Sequence, residues 1–321
     1  MLRGTGQVFS PTYALWGLFG TGVLLIGATL LAAAPATQDV FPVPQLASVA
    51  PWAWPGLVVA ALLALGEGRL PLAGWIFVGA FGVFLWTNYA LPVRASGTGA
   101  AVELLAVNAD QGGVDPAQVA REVARRHVDV LVVVELTPAL DAALRAQPAL
   151  AGLPHRVLHP ADAASGSGLY ARYPLTATPD IVGTSFHLVT ARVAVPGARP
   201  WRLAAVHVYP LVPFAESGWT ADFTAIRRWT ADGDTSRTVL AGDFNATRDH
   251  RHFRGLTAVG LSEARRSPFR PIGGGTWPSW VPLVALDHVL VGDALHATGH
   301  EIVSLDGTDH RGVAVQVRDA G

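Results

Sequence analysis

The chain changes character near residue 95. Before it, apolar residues run in long unbroken stretches, whereas after Ala101 they come as short runs alternating with amphipathic ones. Residues 14–34 read ALWGLFGTGVLLIGATLLAAA without a charge, and roughly 20 apolar residues suffice to cross a hydrocarbon core. The pattern therefore predicts a first membrane span there. A turn-rich piece with Pro42, Pro44 and Pro51 follows, and then a second span at about residues 49–65 with Trp52 and Trp54 at the interface. A third covers residues 70–91, with Trp75, Trp86 and Tyr89 as aromatic-belt positions. Two other readings compete. AAAPATQ after Leu31 imitates the cleavage site of a signal sequence, although cleavage there would leave two spans. Buried helices of a soluble protein rarely carry three such runs in succession.

Beyond a short linker, residues 94–100, the second half predicts mixed α/β structure over residues 101–321. Strands are expected at 102–108, 128–136, 167–171, 187–195, 202–208, 238–241, 288–291 and 312–317. Asp115-Pro116 and Thr137-Pro138 each pair an N-cap with a proline at the first helical position, so a helix should follow both. Val119 and Val123 supply the i, i+4 stripe of the first, through about Arg126.

Charge sharpens the division. Up to Val93 the only charged side chains are Arg3, Asp39, Glu67 and Arg69, and the first histidine is His127. The positive-inside rule puts Arg3 and the turn at Arg69 in the cytoplasm, so three spans direct the second half outward, against the single opposing charge of Arg94. The linker is short and keeps that half close to the bilayer surface. With 50% hydrophobic and 15% charged residues, the whole is too apolar for a simple soluble enzyme. It holds no cysteine, which removes disulfides, a thiol nucleophile and Cys-ligated metal sites. A net charge of -1, with no lysine at all, disfavours nucleic acid as the natural partner.

Polar residues appear where the apolar strands end, the place where an α/β protein displays its chemistry. Asn108 ends the first strand, Glu135 nearly ends the second, His207 ends another, Asp243 and Asn245 follow VLAG, Asp287 precedes HVLV, and Asp309-His310 precede the last. Singly, an Asp or Asn after a strand is a turn residue and a lone His a structural one. Together, four carboxylates with histidines alongside supply hard oxygen ligands of the kind that hold Mg²⁺ or Mn²⁺. Such an ion neutralises a phosphate and activates water.

The ordered set LLAVNAD, VVVELTP, SGLYARYPL, AAVHVYP, AGDFNAT, LDHVLVG and GTDHRGVAV, from Ala101 to Val317, resembles the endonuclease/exonuclease/phosphatase (DNase I-like) superfamily. The TWP…LDHVL segment is similar to that of membrane-anchored actinobacterial, VanJ-like members. The resemblance implies a four-layer α/β/β/α sandwich of two mixed sheets, here preceded by three transmembrane helices. It implies Glu135 as the principal metal carboxylate, with Asn108 and Asp309 near it. Asp243 would orient or deprotonate the attacking water, and Asn245 would hold a phosphate oxygen. Asp287 and His310 would form a carboxylate-imidazole pair, and His207 would be a second, phosphate-facing histidine. Related members place a carboxylate beside that histidine; SGSGLYARY offers none, so the partner of His207 stays open. His288 stands where the family has Tyr, and strand alternation favours a place in the packing over one in the site.

Three functions follow. The leading one is a metal-dependent phosphohydrolase of the plasma membrane with an extracytoplasmic site, acting on a phospholipid or polyprenyl-phosphate type substrate; no protein partner is implied. Tyr209, Leu211, Val212, Pro213, Phe214 and Trp219, and the segment GGGTWPSWVPL, would line an apolar mouth, or else serve as ordinary core. The second is a surface nuclease gripping phosphates with Arg248, Arg251 and Arg254. The third is a catalytically silent binding module. The sequence leaves monoester, diester and pyrophosphate cleavage equally open.

Overall fold

The computed structural model describes residues 11–33, 37–88, 99, 101–264, 272 and 274–320. Arg3, Ala34, Arg94, the linker apart from Gly99, and the end of the third expected span from Tyr89 lie outside the described residues. Two compact units form, the first ending at Leu91 and the second beginning at Pro92.

Among its described residues the first unit is mainly helical. Its helices are α1 (Pro11–Ala33), α2 (Val43–Ser48), α3 (Ala53–Gly66) and α4 (Leu70–Asn88), with a single 3₁₀ turn at Ala50–Trp52. Small residues on α3 and α4, among them Ala60, Ala61, Ala64, Ala73 and Ala80, are buried between the helices. That lets backbones approach closely; a Cβ on Gly22 of α1 would stand 2.9 Å from Leu57. Thr12 donates to Glu67 at 2.8 Å and Arg69 pairs with Glu67 at 2.9 Å, so the start of α1 and the α3–α4 turn share one end. Large apolar side chains such as Trp75, Val78, Phe81 and Leu62 face outward. The expectation of three spans is narrowed here. Among the described residues one helix, Leu70–Asn88, is long and apolar enough to cross a membrane, while the apolar stretches Thr12–Gly27 and Ala50–Gly66 are shorter. At 1.5 Å per residue, the 14 residues of α3 reach only about 21 Å.

The second unit is built on twelve strands: β1 (Val102–Asn108), β2 (Val130–Val134), β3 (His155–His159), β4 (Ser167–Ala171), β5 (Leu175–Thr178), β6 (Thr190–Val193), β7 (Trp201–His207), β8 (Thr238–Asp243), β9 (Leu261–Glu263), β10 (Asp287–Gly292), β11 (Leu295–Val303) and β12 (Gly312–Asp319). They form two mixed six-stranded sheets, ordered β11-β12-β1-β2-β4-β3 and β5-β6-β7-β8-β10-β9. Each has one parallel pair at its heart, β1 with β2 and β7 with β8. Alternation along these strands makes three apolar layers. Leu104, Ala106, Val132, Leu203, Ala205, Val239, Ala241 and Val289 face the space between the sheets. Leu105, Val107, Leu131 and Val133 face helices α5 (Pro116–Arg126) and α6 (Pro138–Arg145). Val206, Leu240 and Leu290 face α7 (Glu216–Ala231) and α8 (Arg251–Ala258) through Trp219, Phe223, Ile226, Phe253 and Leu256. The expected caps form: the Asp115 side chain accepts from Ala117 N at 2.8 Å and Thr137 Oγ1 from Leu140 N at 3.2 Å.

His288 belongs to this packing. Its neighbours in β10, Asp287 and Val289, are on the inter-sheet side, so His288 faces outward among Phe244 and Phe253. Its Nδ1 lies 2.8 Å from Glu263 Oε1 and its Nε2 2.9 Å from Ala246 O. Both ring nitrogens meet acceptors, which requires the imidazolium. Burial opposes that charge, but the Glu263 carboxylate and the carbonyl overcome it and hold the pKa above its usual value. The stabilisation is therefore complete below about pH 6.5 and is lost as pH rises through the raised folded value. A His288→Leu variant should lose about 3 kcal/mol at pH 6. Denaturation in detergent, followed by near-UV circular dichroism, should show that gap from wild type narrowing steadily towards alkaline pH.

Candidate active site

Strand parity brings the polar residues together. Asn108, His207, Asp243 and Asp287 occupy the inter-sheet side at strand ends, where the apolar series of β1, β7, β8 and β10 continues in register into polar side chains. His207 pairs with Asp243 across the parallel β7–β8 ladder, and Asp287 pairs with Asp243 across β8–β10. Asn108 stands opposite Val134, so Glu135 follows one residue beyond. Glu135 and Asn245 both adopt positive φ, 58° and 44°. That sparsely populated conformation costs of order 1–3 kcal/mol and turns each side chain off its strand's alternation. Gly242, at φ 136°, is required as glycine: a Cβ would stand 2.2 Å from Val206 O in the adjacent strand.

Asn108 ties the two sheets. Its Nδ2 donates to Glu135 Oε1 at 3.1 Å and to Asp243 Oδ2 at 3.0 Å, while its Oδ1 accepts from Asp110 N at 2.9 Å. In this arrangement the amide braces two carboxylates. Glu135 also accepts from Gln111 N at 2.7 Å. Burial raises the Glu135 pKa against these hydrogen bonds. Among the described residues no arginine pairs with Glu135, Asp243, Asp287 or Asp309. Glu135 and Asp309, the carboxylates that stay partly open to solvent and have no arginine beside them, fit a hard divalent cation.

Asp243 is fully buried. It accepts from Asn245 N at 2.7 Å and from Asn245 Nδ2 at 3.3 Å, with His310 Nε2 3.7 Å and His207 Nε2 3.9 Å away. Burial raises its pKa despite both histidines. Asn245 Nδ2 is also bound to Val208 O at 2.9 Å. Reaching a phosphate oxygen therefore means exchanging its bond to Asp243.

His310 Nδ1 lies 2.9 Å from Asp287 Oδ2. Burial disfavours its charge, but the carboxylates of Asp287 and Asp243 prevail and push its pKa up to about 10. The expected carboxylate-imidazole pair is in place, and its imidazole is cationic at neutral pH. The open partner of His207 is a backbone group: Nδ1 donates to Ala164 O at 3.0 Å, and Phe186 stacks on the ring at 4.5 Å. Burial lowers the His207 pKa, so the ring is neutral and Nε2 presents a lone pair 3.5 Å from Glu135 Oε1.

Asp309 sits at the rim, 39% exposed. Its Oδ2 accepts from Trp277 Nε1 at 2.9 Å, and its Oδ1 is 3.8 Å from His310 Nε2. Several groups that hold the cage carry no signal in sequence. Thr276 Oγ1 accepts from Asp287 N at 3.1 Å, and Thr308 Oγ1 links Asn108 O at 2.9 Å to His310 N at 3.1 Å. Asp110, whose charge is felt by both Glu135 and Asp309, reads in sequence as a turn residue. Gly307 has φ 78° and packs its backbone on Gly113, where a Cβ would meet Gly113 O at 2.2 Å. The two loops carrying Asp110 and His310 are thereby pressed together.

Of the two apolar segments, one divides. Trp219 is core, whereas Phe214 is 83% exposed. In the other, Trp280 is 71% exposed on a loop bound to the site through Ser279 N to Asp309 O at 2.7 Å and Arg311 Nε to Ser279 O at 2.7 Å.

Solved structures share this fold at low identity. An endonuclease/exonuclease/phosphatase from Beutenbergia cavernae is 18% identical, covering 69% of this chain and 72% of its own, with a TM-score of 0.53. D. rerio TDP2 complexed with a single-strand DNA product is 15% identical, covering 68% of this chain and all (100%) of its own, at 0.54. Staphylococcus aureus beta toxin is 12% identical, covering 67% and 99%, at 0.53. No curated protein matches the chain. Residues 105–310, a stretch that holds all the cage residues, match the Endonuclease/Exonuclease/phosphatase family, and the chain belongs to it.

Proposed function

We propose that this protein is a membrane-anchored, VanJ-like phosphoester hydrolase that uses Mg²⁺ or Mn²⁺ and acts on a lipid-linked phosphate or pyrophosphate outside the membrane. The observation that carries the hydrolase reading is the cage itself: a cationic His310, a neutral His207 and the carboxylates of Glu135 and Asp243 converge at one end of both sheets. Glu135, with Asn108 and Asp309, would hold the divalent ion. When bound, such an ion supplies positive charge to the phosphoryl oxygens.

The chain's own groups divide the remaining work. Asp243, made more basic by burial, takes a proton from the attacking water. His310, kept cationic by Asp287, faces the charge that develops on phosphorus-bound oxygens. His207 presents a lone pair until an anionic substrate raises its proton affinity and makes Nε2 a donor. Asn245 holds Asp243 and exchanges that bond for a phosphate oxygen on binding.

Three features support the membrane and the lipid. The first unit turns large apolar side chains outward on all three of its long helices, as a bilayer-embedded bundle does. The start of α1 and the turn at Glu67 and Arg69 share one end of the bundle, as the positive-inside reading of Arg3 and Arg69 requires. Exposed Phe214 and Trp280 stand on loops next to His207 and Asp309, positioned to meet an acyl or prenyl chain.

Full-length protein in detergent with Mg²⁺ should release phosphate from a polyprenyl pyrophosphate or headgroup from a phospholipid. Asp243→Ala or Glu135→Ala should cut that release at least 10³-fold, on the order of 4 kcal/mol of transition-state stabilisation. Nicking of plasmid DNA instead, equally lost in Asp243→Ala, would establish the tethered nuclease. Asp287→Asn should lower the His310 pKa, so the alkaline limb of the kcat/KM profile moves down by a unit or more relative to wild type. Trp280→Ser should raise KM for a lipid substrate about tenfold and leave turnover of a soluble phosphodiester unchanged.

A further inference from the structure

Away from the cage, a histidine at the end of β3 meets an aspartate and a histidine of the β5–β6 connection at the edges of both sheets. His159 ends β3, Asp180 follows β5, and His187 precedes β6. His159 Nδ1 is 2.7 Å from Asp180 Oδ2, and His187 Nδ1 is 3.8 Å from the same oxygen. One ligand atom from each of the three lies within 4.8 Å of the others. The two rings meet edge to face with centroids 5.4 Å apart. Because β3 is the outer strand of one sheet and β5 of the other, the cluster bridges the sandwich.

The backbone fixes all three positions. His159 is in register with Ser167, and His187 N donates to Ser165 O at 3.0 Å. Its carbonyl accepts from the Ser167 hydroxyl. Around Asp180, Ile181 N donates to Leu188 O at 3.3 Å and Thr190 Oγ1 to Pro179 O at 3.0 Å. The side chains are thus held near one another before any ligand arrives, which lowers the ordering cost of binding.

We propose that His159, Asp180 and His187 form a second metal site, for a first-row transition ion such as Zn²⁺, tying β3 of one sheet to the β5–β6 hairpin of the other. Two imidazoles and one carboxylate suit Zn²⁺, whereas Mg²⁺ keeps to oxygen ligands. Tetrahedral ligands about 2.0–2.1 Å from the ion stand about 3.3 Å apart. The His159–Asp180 contact opens to that distance and the His187–Asp180 contact closes to it, each by about half an ångström, a rotamer adjustment. Both imidazoles are half exposed, at 53% and 56%, so water completes the coordination. The same two segments carry Ala164 and Phe186, which hold His207, so loading the site steadies that wall of the cage.

The test is a Zn²⁺ titration of full-length protein in detergent under saturating Mg²⁺, by calorimetry. Wild type should bind one more equivalent than the His159→Gln/His187→Gln double variant, and each single variant should bind that ion at least tenfold more weakly. The double variant should match wild type in circular dichroism without Zn²⁺. If it does not fold, Co²⁺ decides: visible d–d bands should form with the Asp243→Ala protein as strongly as with wild type. Equal Zn²⁺ stoichiometry and affinity in wild type and double variant, or Co²⁺ bands lost in Asp243→Ala, overturn the proposal. Neither outcome depends on which phosphoester is hydrolysed.

Discussion

Carboxylates that end a hydrocarbon core cannot stand alone, because a buried charge without partners is expensive. Asp243 is the group on which this falls hardest, since it is enclosed by both sheets and touched by residues from β1, β7, β8 and the loop before β12. Asn108 and His310 from one sheet and Asn245 and His207 from the other share its solvation. Everything near it is arranged by that need: positive φ at Glu135 and Asn245 aims polar atoms inward, and Gly242 lets β7 approach β8 closely enough for His207 to sit beside it. The same arrangement leaves an excess of carboxylate, which fits a cation, and burial raises the proton affinity of Asp243.

The interior of each sheet was legible in sequence and its margins were not. All eight expected strands are the interior ones, β1, β2, β4, β6, β7, β8, β10 and β12. The four that sequence did not signal, β3, β5, β9 and β11, are the four edges. An edge strand is buried on fewer sides, so its side chains need not form an apolar run: β3 reads HRVLH and is half exposed along its length. The site followed the same logic. Residues at the ends of interior strands were readable because each breaks an apolar series, as His207 does after WRLAAV. Thr276, Thr308 and Asp110 lie in loops, where a polar residue breaks no pattern, and the Ala164 carbonyl that holds His207 belongs to no side chain.

The helical unit obeys a different packing rule. Between its helices alanines are interspersed with Leu15, Leu57, Ile76 and Val83, while many further bulky residues turn outward, unlike the sandwich, whose bulk is mostly inside. Run length and charge separated the two halves in sequence, but which face of each helix carries the exposed large side chains becomes visible only once the helices are paired. Length has its own lesson: a run of apolar letters in the sequence exceeds the helix it forms, because prolines and a 3₁₀ turn take up the start of the second run.

The last strand has a consequence for how the protein comes into being. β12 lies between β11 and β1, near the middle of its sheet, and His310 immediately precedes it. A nascent chain that has emerged only as far as β10 carries Asn108, Glu135, His207, Asp243 and Asp287, yet it lacks both the neighbour that pairs with β1 and the imidazole that pairs with Asp287. The cage is therefore incomplete until the segment that carries His310 and β12 has joined its sheet.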